Sequence, residues 1–155
     1  MNLFGHEKVS KGTVAEIAEM VHAYFKARNL DPKEQSIPAA EGWGWWVNQG
    51  SAQVYIFVQE TKAGTVLRIS SPLVYIPEDN KEAFYRKLLD LNTNLNCCAL
   101  ATNGKLAMVV AQRATVGLDQ VELDSLVWNV AYVADLLDDQ LSEEFKLTKY
   151  TATSQ

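Results

Sequence analysis

Apolar residues recur along this chain at two spacings, and each spacing marks a kind of element. Between residues 118 and 145, Leu123, Leu126, Val130, Val133, Leu137 and Leu141 follow one another at three- and four-residue steps. At about 100° per residue these fall on one stripe, so the segment reads as a long helix laid on a core. Trp128, Tyr132, Asp135 and Asp139 fall together on the opposite side, which puts two large aromatics beside carboxylates on the outward face. A second helix starts at Thr13, where Thr13 and Glu16 have capping-box spacing, and runs to about Asn29 with Ile17, Met20, Val21, Tyr24 and Phe25 inward. Pro32 disfavours helical geometry at Asp31 and closes it. A third helix carries Phe84, Leu88, Leu91 and Leu95, with Asp79 as its cap and Glu82 at the matching position.

The other segments alternate with period two. Residues 43–47, 52–60 and 65–76 read as strands joined by turns at 48–51 and 62–64. In the second of these Val54, Ile56 and Val58 share one face, and Tyr55 and Phe57 the other. Pro72 has no amide to give to a ladder, so a bulge or an edge is expected there. Residues 96–102 and 105–113 form a hairpin about Asn103-Gly104, read as a type I′ turn. This hairpin is apolar on both faces, which suits a place inside the sheet or beneath a partner. Residues 33–41 read as a loop. The order α-β-β-β-α-β-β-α predicts an α+β fold, an antiparallel five-stranded sheet with helices packed on it. The single domain covers residues 13–145, between a flexible N-terminus (1–12) and a polar C-terminal tail without fixed structure (146–155).

Length and composition narrow the class. The 155 residues suit one domain with a core of its own. No apolar run reaches the roughly 20 residues of a membrane helix, and the first residues show neither a cleavable signal nor, beginning Met-Asn, a myristoylation pattern. Cys97 and Cys98 are adjacent and badly placed for one disulfide; they read as reduced core residues, which implies a cytoplasmic location. Net charge is −5, and eight acidic side chains with no basic one lie between residues 119 and 145. Such a block opposes a nucleic-acid partner, which requires clustered Lys and Arg. It is either a solvated helix face or an electrostatic docking site.

Catalytic chemistry is not signalled. His6 and His22 have no partners at metal-ligand spacing, and there is no phosphate-cradling glycine loop or nucleophile elbow. Asp135, Asp138, Asp139 and Glu143 are carboxylates without a signalled pocket. No cofactor, no metal and no enzymatic activity are therefore expected. Trp43, Trp45 and Trp46, with Tyr55 and Phe57, admit two readings: packing within a hairpin, or a platform on which a small ligand stacks. Trp43 and Trp45 share a side and Trp46 points the other way, more indole than one buried face requires.

Residues 88–92 (LLDLN), the hairpin CCALATNGKLAMVVAQR and the closing helix LDSLVWNVAYVADLLDD, in this element order, resemble the YbjN-type proteins and, in fold, the type III secretion chaperones. The resemblance covers roughly residues 13–145; the Trp43-Gly44-Trp45-Trp46 strand departs from it. It implies a non-enzymatic α+β domain that pairs with itself and holds a protein partner. The expectation is a non-catalytic homodimeric protein-binding module, chaperone-like or regulatory, with Trp128, Tyr132, Asp135 and Asp139 at the contact. The alternative is a small-ligand sensor built on Trp43, Trp45 and Trp46.

Overall fold

Alternating apolar residues build one six-stranded sheet, antiparallel throughout, in the computed structural model, which describes residues 10–152. The elements run α1 (Val14–Lys26), β1 (Ser36–Ile37), β2 (Trp43–Gln49), β3 (Ala52–Thr61), β4 (Gly64–Tyr75), α2 (Lys81–Asn92), β5 (Ala99–Asn103), β6 (Leu106–Ala114) and α3 (Gln120–Phe145). Strand order is β1-β2-β3-β4-β6-β5. The sheet thus has six strands, not the expected five. The extra strand, β1, lies within the segment read as a loop and pairs through only Ser36 and Ile37 with Trp45 and Gly44. Two residues are too few to show a period.

One face of the sheet is dry. Trp45, Val47, Val54, Ile56, Val58, Leu67, Ile69, Ala107, Val109 and Ala111 are buried there under the helices. α3 packs across β3, β4 and β6, and α1 lies against α3 and β3. The buried residues of α3 are Leu123, Val127, Val130, Ala131, Val133, Ala134, Leu137 and Leu141. Leu126, read as part of this stripe, is only partly buried and sits at its margin. Phe84 of α2 is fully buried and meets Phe145 edge-on at 5.3 Å, which ties α2 to the end of α3. Side chains of this size each stabilise the fold by roughly 1.5–3 kcal/mol on burial.

Local chemistry sets the boundaries. The Thr13–Glu16 capping box is present in both directions. α1 stops because Asn29 turns left-handed (φ 57°) and the Leu30 amide donates back to the Phe25 carbonyl, ahead of Pro32. α2 differs from expectation: its cap is Asn80, itself left-handed, with no side-chain cap bond, and not Asp79. The β5–β6 turn also moves by one residue. Asn103 pairs with Leu106, so the loop is Gly104-Lys105, and positive φ at Gly104 alone fits type II′, not type I′. The expected bulge is real. β4 is an interior strand, and its register with β6 slips between Pro72 and Val74. Of the apolar hairpin, β6 is interior and β5 is an edge.

Three segments are more ordered or more exposed than the sequence suggests. Residues 10–12 are pinned: the Gly117 amide donates to the Ser10 carbonyl, and the Thr115 hydroxyl to that of Gly12. Residues 1–9, His6 among them, lie outside the described residues. Residues 148–150 are likewise bonded to β4, not loose. Cys97 is exposed and left-handed (φ 57°) and Cys98 is half-buried, both as free thiols ahead of β5, so neither is a core residue. Finally, the free edge of β5 is partly closed. The Leu100 amide donates to Asn92 Oδ1 at 2.7 Å, and Asn92 Nδ2 donates to the Leu100 carbonyl at 3.3 Å.

Candidate protein-binding surface

The outward face of α3 carries an apolar row. Val121, Trp128, Tyr132 and Leu136 are 75%, 53%, 53% and 56% exposed. They recur at about 3.6-residue spacing, so they share the side away from the sheet. The Trp128 and Tyr132 rings stack in parallel, centroids 5.1 Å apart and 7° between planes. Beside Trp128 a hollow of about 650 Å³ opens between α3 and the residues before β5, lined by Asn96, Cys97, Val121, Ser125, Leu126 and Asn129 among others. Asn129 fixes this loop by donating to the Asn96 carbonyl at 2.6 Å.

The carboxylates of α3 behave differently. Asp135, placed by the sequence beside the aromatics, accepts from the Ser51 amide at 3.2 Å and from the Ser51 hydroxyl. These bonds hold its pKa below the usual carboxylate range. Asp139 pairs with Lys149, and Asp138 lies 3.6 Å from the same ammonium. Burial pushes the Asp138 pKa up, with Lys149 opposing. Asp119 caps the helix, Glu122 pairs with Arg113, Asp124 lies 3.9 Å from Arg28, and Glu144 pairs with Lys87 at 2.8 Å. The acidic block is therefore largely answered within the chain by bases and donors from other elements. It is neither a bare solvated face nor an open electrostatic dock. Trp128 and Tyr132 are exposed on the outward face, while Asp135 and Asp139, also exposed, are engaged by Ser51 and Lys149 of the same chain.

The three tryptophans of β2 do not form one platform. Trp45 is 1% exposed and sits in the core, with His22 edge-on at 5.7 Å. Trp43 is exposed at the end of the strand and stacks on Trp45 at 6.0 Å. Trp46 is half-buried on the helix-free face of the sheet, opposite Tyr55. That face also carries Phe57 and Arg68, and Arg68 donates to Gln112 Oε1 at 3.2 Å. Among the described residues, no group of three or more His, Cys, Asp or Glu is arranged to hold an ion. No helix there is long and apolar enough to cross a membrane.

The sequence reading missed the segment after α3. Lys146 is left-handed (φ 54°), and the Leu147 amide donates back to the Ser142 carbonyl at 2.9 Å, so the chain reverses. It then runs antiparallel to β4. The Tyr75 amide donates to the Thr148 carbonyl at 3.0 Å, the Tyr150 amide to the Leu73 carbonyl at 2.8 Å, and Val74 bridges to Lys149. The Tyr150 and Tyr55 hydroxyls meet at 3.0 Å, and burial followed by this bond raises the Tyr55 pKa. The only signal in the sequence is the β-favouring run Leu147-Thr148-Lys149-Tyr150-Thr151, too short to stand out.

The profile of TY-Chap1, described as T3SS (YopN, CesT) and YbjN peptide-binding chaperone 1, matches residues 41–150. The chain belongs to the TY-Chap1 family. The TY-Chap1 match reaches from the start of β2 to Tyr150, so it includes α3 and the segment on β4. In fold, this TY-Chap1 chain is similar to a chain of the crystal structure of the ExsC–ExsE complex. The TM-score is 0.61, with 83% of this chain and 95% of that chain covered at 11% identity. No curated protein matches the sequence. The expected kinship and the α+β secretion-chaperone architecture are both found.

Proposed function

We propose that this TY-Chap1 member is a non-catalytic, homodimeric chaperone-like module that holds a segment of another protein, and that Trp128 and Tyr132 lie at the contact between two copies. The observation that carries the dimer is the exposed parallel stack of Trp128 on Tyr132, continued by Val121 and Leu136. A contiguous apolar row on an otherwise well-satisfied helix is the mark of a surface that another chain covers. The family description names peptide binding, and the fold neighbour was solved as a complex; both support a protein client. The free thiols Cys97 and Cys98 support a reducing compartment such as the cytoplasm.

Light scattering on wild type and Trp128→Asp tests the contact. Wild type is expected at twice 17.3 kDa and the variant at one chain, with unchanged circular dichroism. One-chain mass for both sinks the dimer.

A further inference from the structure

β4 is longer than the strand beside it. Tyr55 of β3 is the last residue paired there, opposite Ser70, while β4 continues to Tyr75. Residues 73–75 pair with β6 through Val74 and Tyr75 on one side, and on the other would present an open edge. Residues 148–150 fill that edge, in line with β3, through two backbone hydrogen bonds. Strand alternation sends Lys149 to the helix side, toward Asp138 and Asp139, and Tyr150 to the opposite side, onto Tyr55. The filling is incomplete. A cavity of about 230 Å³ lies here among residues that include Gln53, Leu73, Ala134, Asp138 and Tyr150. Asp138 Oδ1 is buried without a hydrogen-bond partner.

We propose that residues 73–75 of β4 form a strand-acceptor slot for an extended client segment carrying a basic residue followed by an aromatic one, and that residues 147–150 are a built-in occupant that such a client displaces. The occupant itself defines the chemistry. Backbone pairing with β4 supplies adhesion, Asp138 and Asp139 select a cation, and Tyr55 selects a ring with a hydrogen-bonding group. The hold consists of two backbone bonds, the pairing of half-buried Lys149 with Asp138 and Asp139, and the Tyr150–Tyr55 hydroxyl bond, each of which an incoming strand of the same pattern replaces like for like. Tethering gives the resident segment a high effective concentration, so a client must add contacts elsewhere or arrive when the segment is weakened. The proposal rests on the reading that this module holds a protein segment; it does not depend on the α3 contact.

The test uses the full chain and a fluorescein-labelled synthetic peptide of residues 145–152, followed by anisotropy. Lys149→Ala/Tyr150→Ala weakens the resident segment and leaves the slot intact. This variant is expected to bind the peptide at least about ten-fold more tightly than wild type, whose slot is occupied. A peptide with alanine in place of its second lysine and its tyrosine is expected to lose that gain. Tyr150→Phe, which removes one hydroxyl only, gives a smaller gain and decides the matter if the double variant does not fold. Equal binding by wild type and variants, equal binding of both peptides, or no binding at all overturns the slot. A wild-type dimer that the double variant takes apart would assign the slot to a second copy's segment, and overturns the client reading too. One-chain mass in wild type would remove the α3 contact without touching this result.

Discussion

Asp135 shows how one side chain does work that its position in the sequence does not announce. Helical angle alone places it beside Trp128 and Tyr132, and that placement on the outward side holds. Its partner, however, is Ser51, 84 residues away, in the turn that joins β2 to β3. Gly50 in that turn has positive φ (62°), and a Cβ there would come within 3.3 Å of Asp135 Oδ1, so the carboxylate and the glycine fit each other. The folded pKa is depressed, so the stabilisation is complete above the unfolded value of about 4 and is lost as pH falls through the folded value. Asp135→Asn is therefore expected to lower Tm at pH 7, by a margin that shrinks as pH falls below the unfolded value; thermal melts across an acid pH series check it. Phe84 makes a simpler case. It was legible as a core residue from spacing alone, it is fully buried, and Phe84→Ala should cost about 3–5 kcal/mol in denaturant melts.

At the level of elements, what was legible is what depends on near neighbours in sequence. The Thr13–Glu16 box involves residues three apart and was read correctly, as was the bulge at Pro72, because proline lacks a donor wherever it sits. The cap of α2 was misread because left-handed Asn80 leaves no side-chain signature. β1 was missed because its two residues show no period, and residues 147–150 because they are held by a strand distant in the chain. The turn that launches the latter puts Lys146 in the left-handed region, where a Cβ is unfavourable. Lys146→Gly should therefore stabilise the protein by about 0.5–1 kcal/mol, read as a higher denaturant midpoint with an unchanged slope.

For the whole molecule, two periodicities sufficed to give the three helices, the antiparallel sheet and the order of the elements apart from β1. Neither could say that the acids of α3 would meet Arg113, Arg28, Lys87 and Lys149 from other elements, since ion pairing across a fold has no period. That pairing changes the functional picture. With its charge answered internally, the outward side of α3 offers rings and aliphatics, and the expected mode of association is apolar. Raising salt from low to moderate strength should leave the mass of the proposed dimer unchanged, because exposed charge contacts are screened and apolar ones are not; light scattering across a salt series checks it.

A molecule that welcomes the sticky segments of others runs the hazard of recruiting its own kind, and an unpaired strand is the usual template. Here the carboxamide of Asn92 imitates the peptide group of a neighbouring strand and occupies both outward groups of Leu100. Asn92→Leu keeps the size and removes the imitation. Such a variant should thicken with time and concentration into laterally joined sheets, visible as rising turbidity. Thr102→Pro, at the next outward-facing position of the same strand, should arrest that growth. On that outcome, a single amide group separates discrete copies of this protein from ribbons.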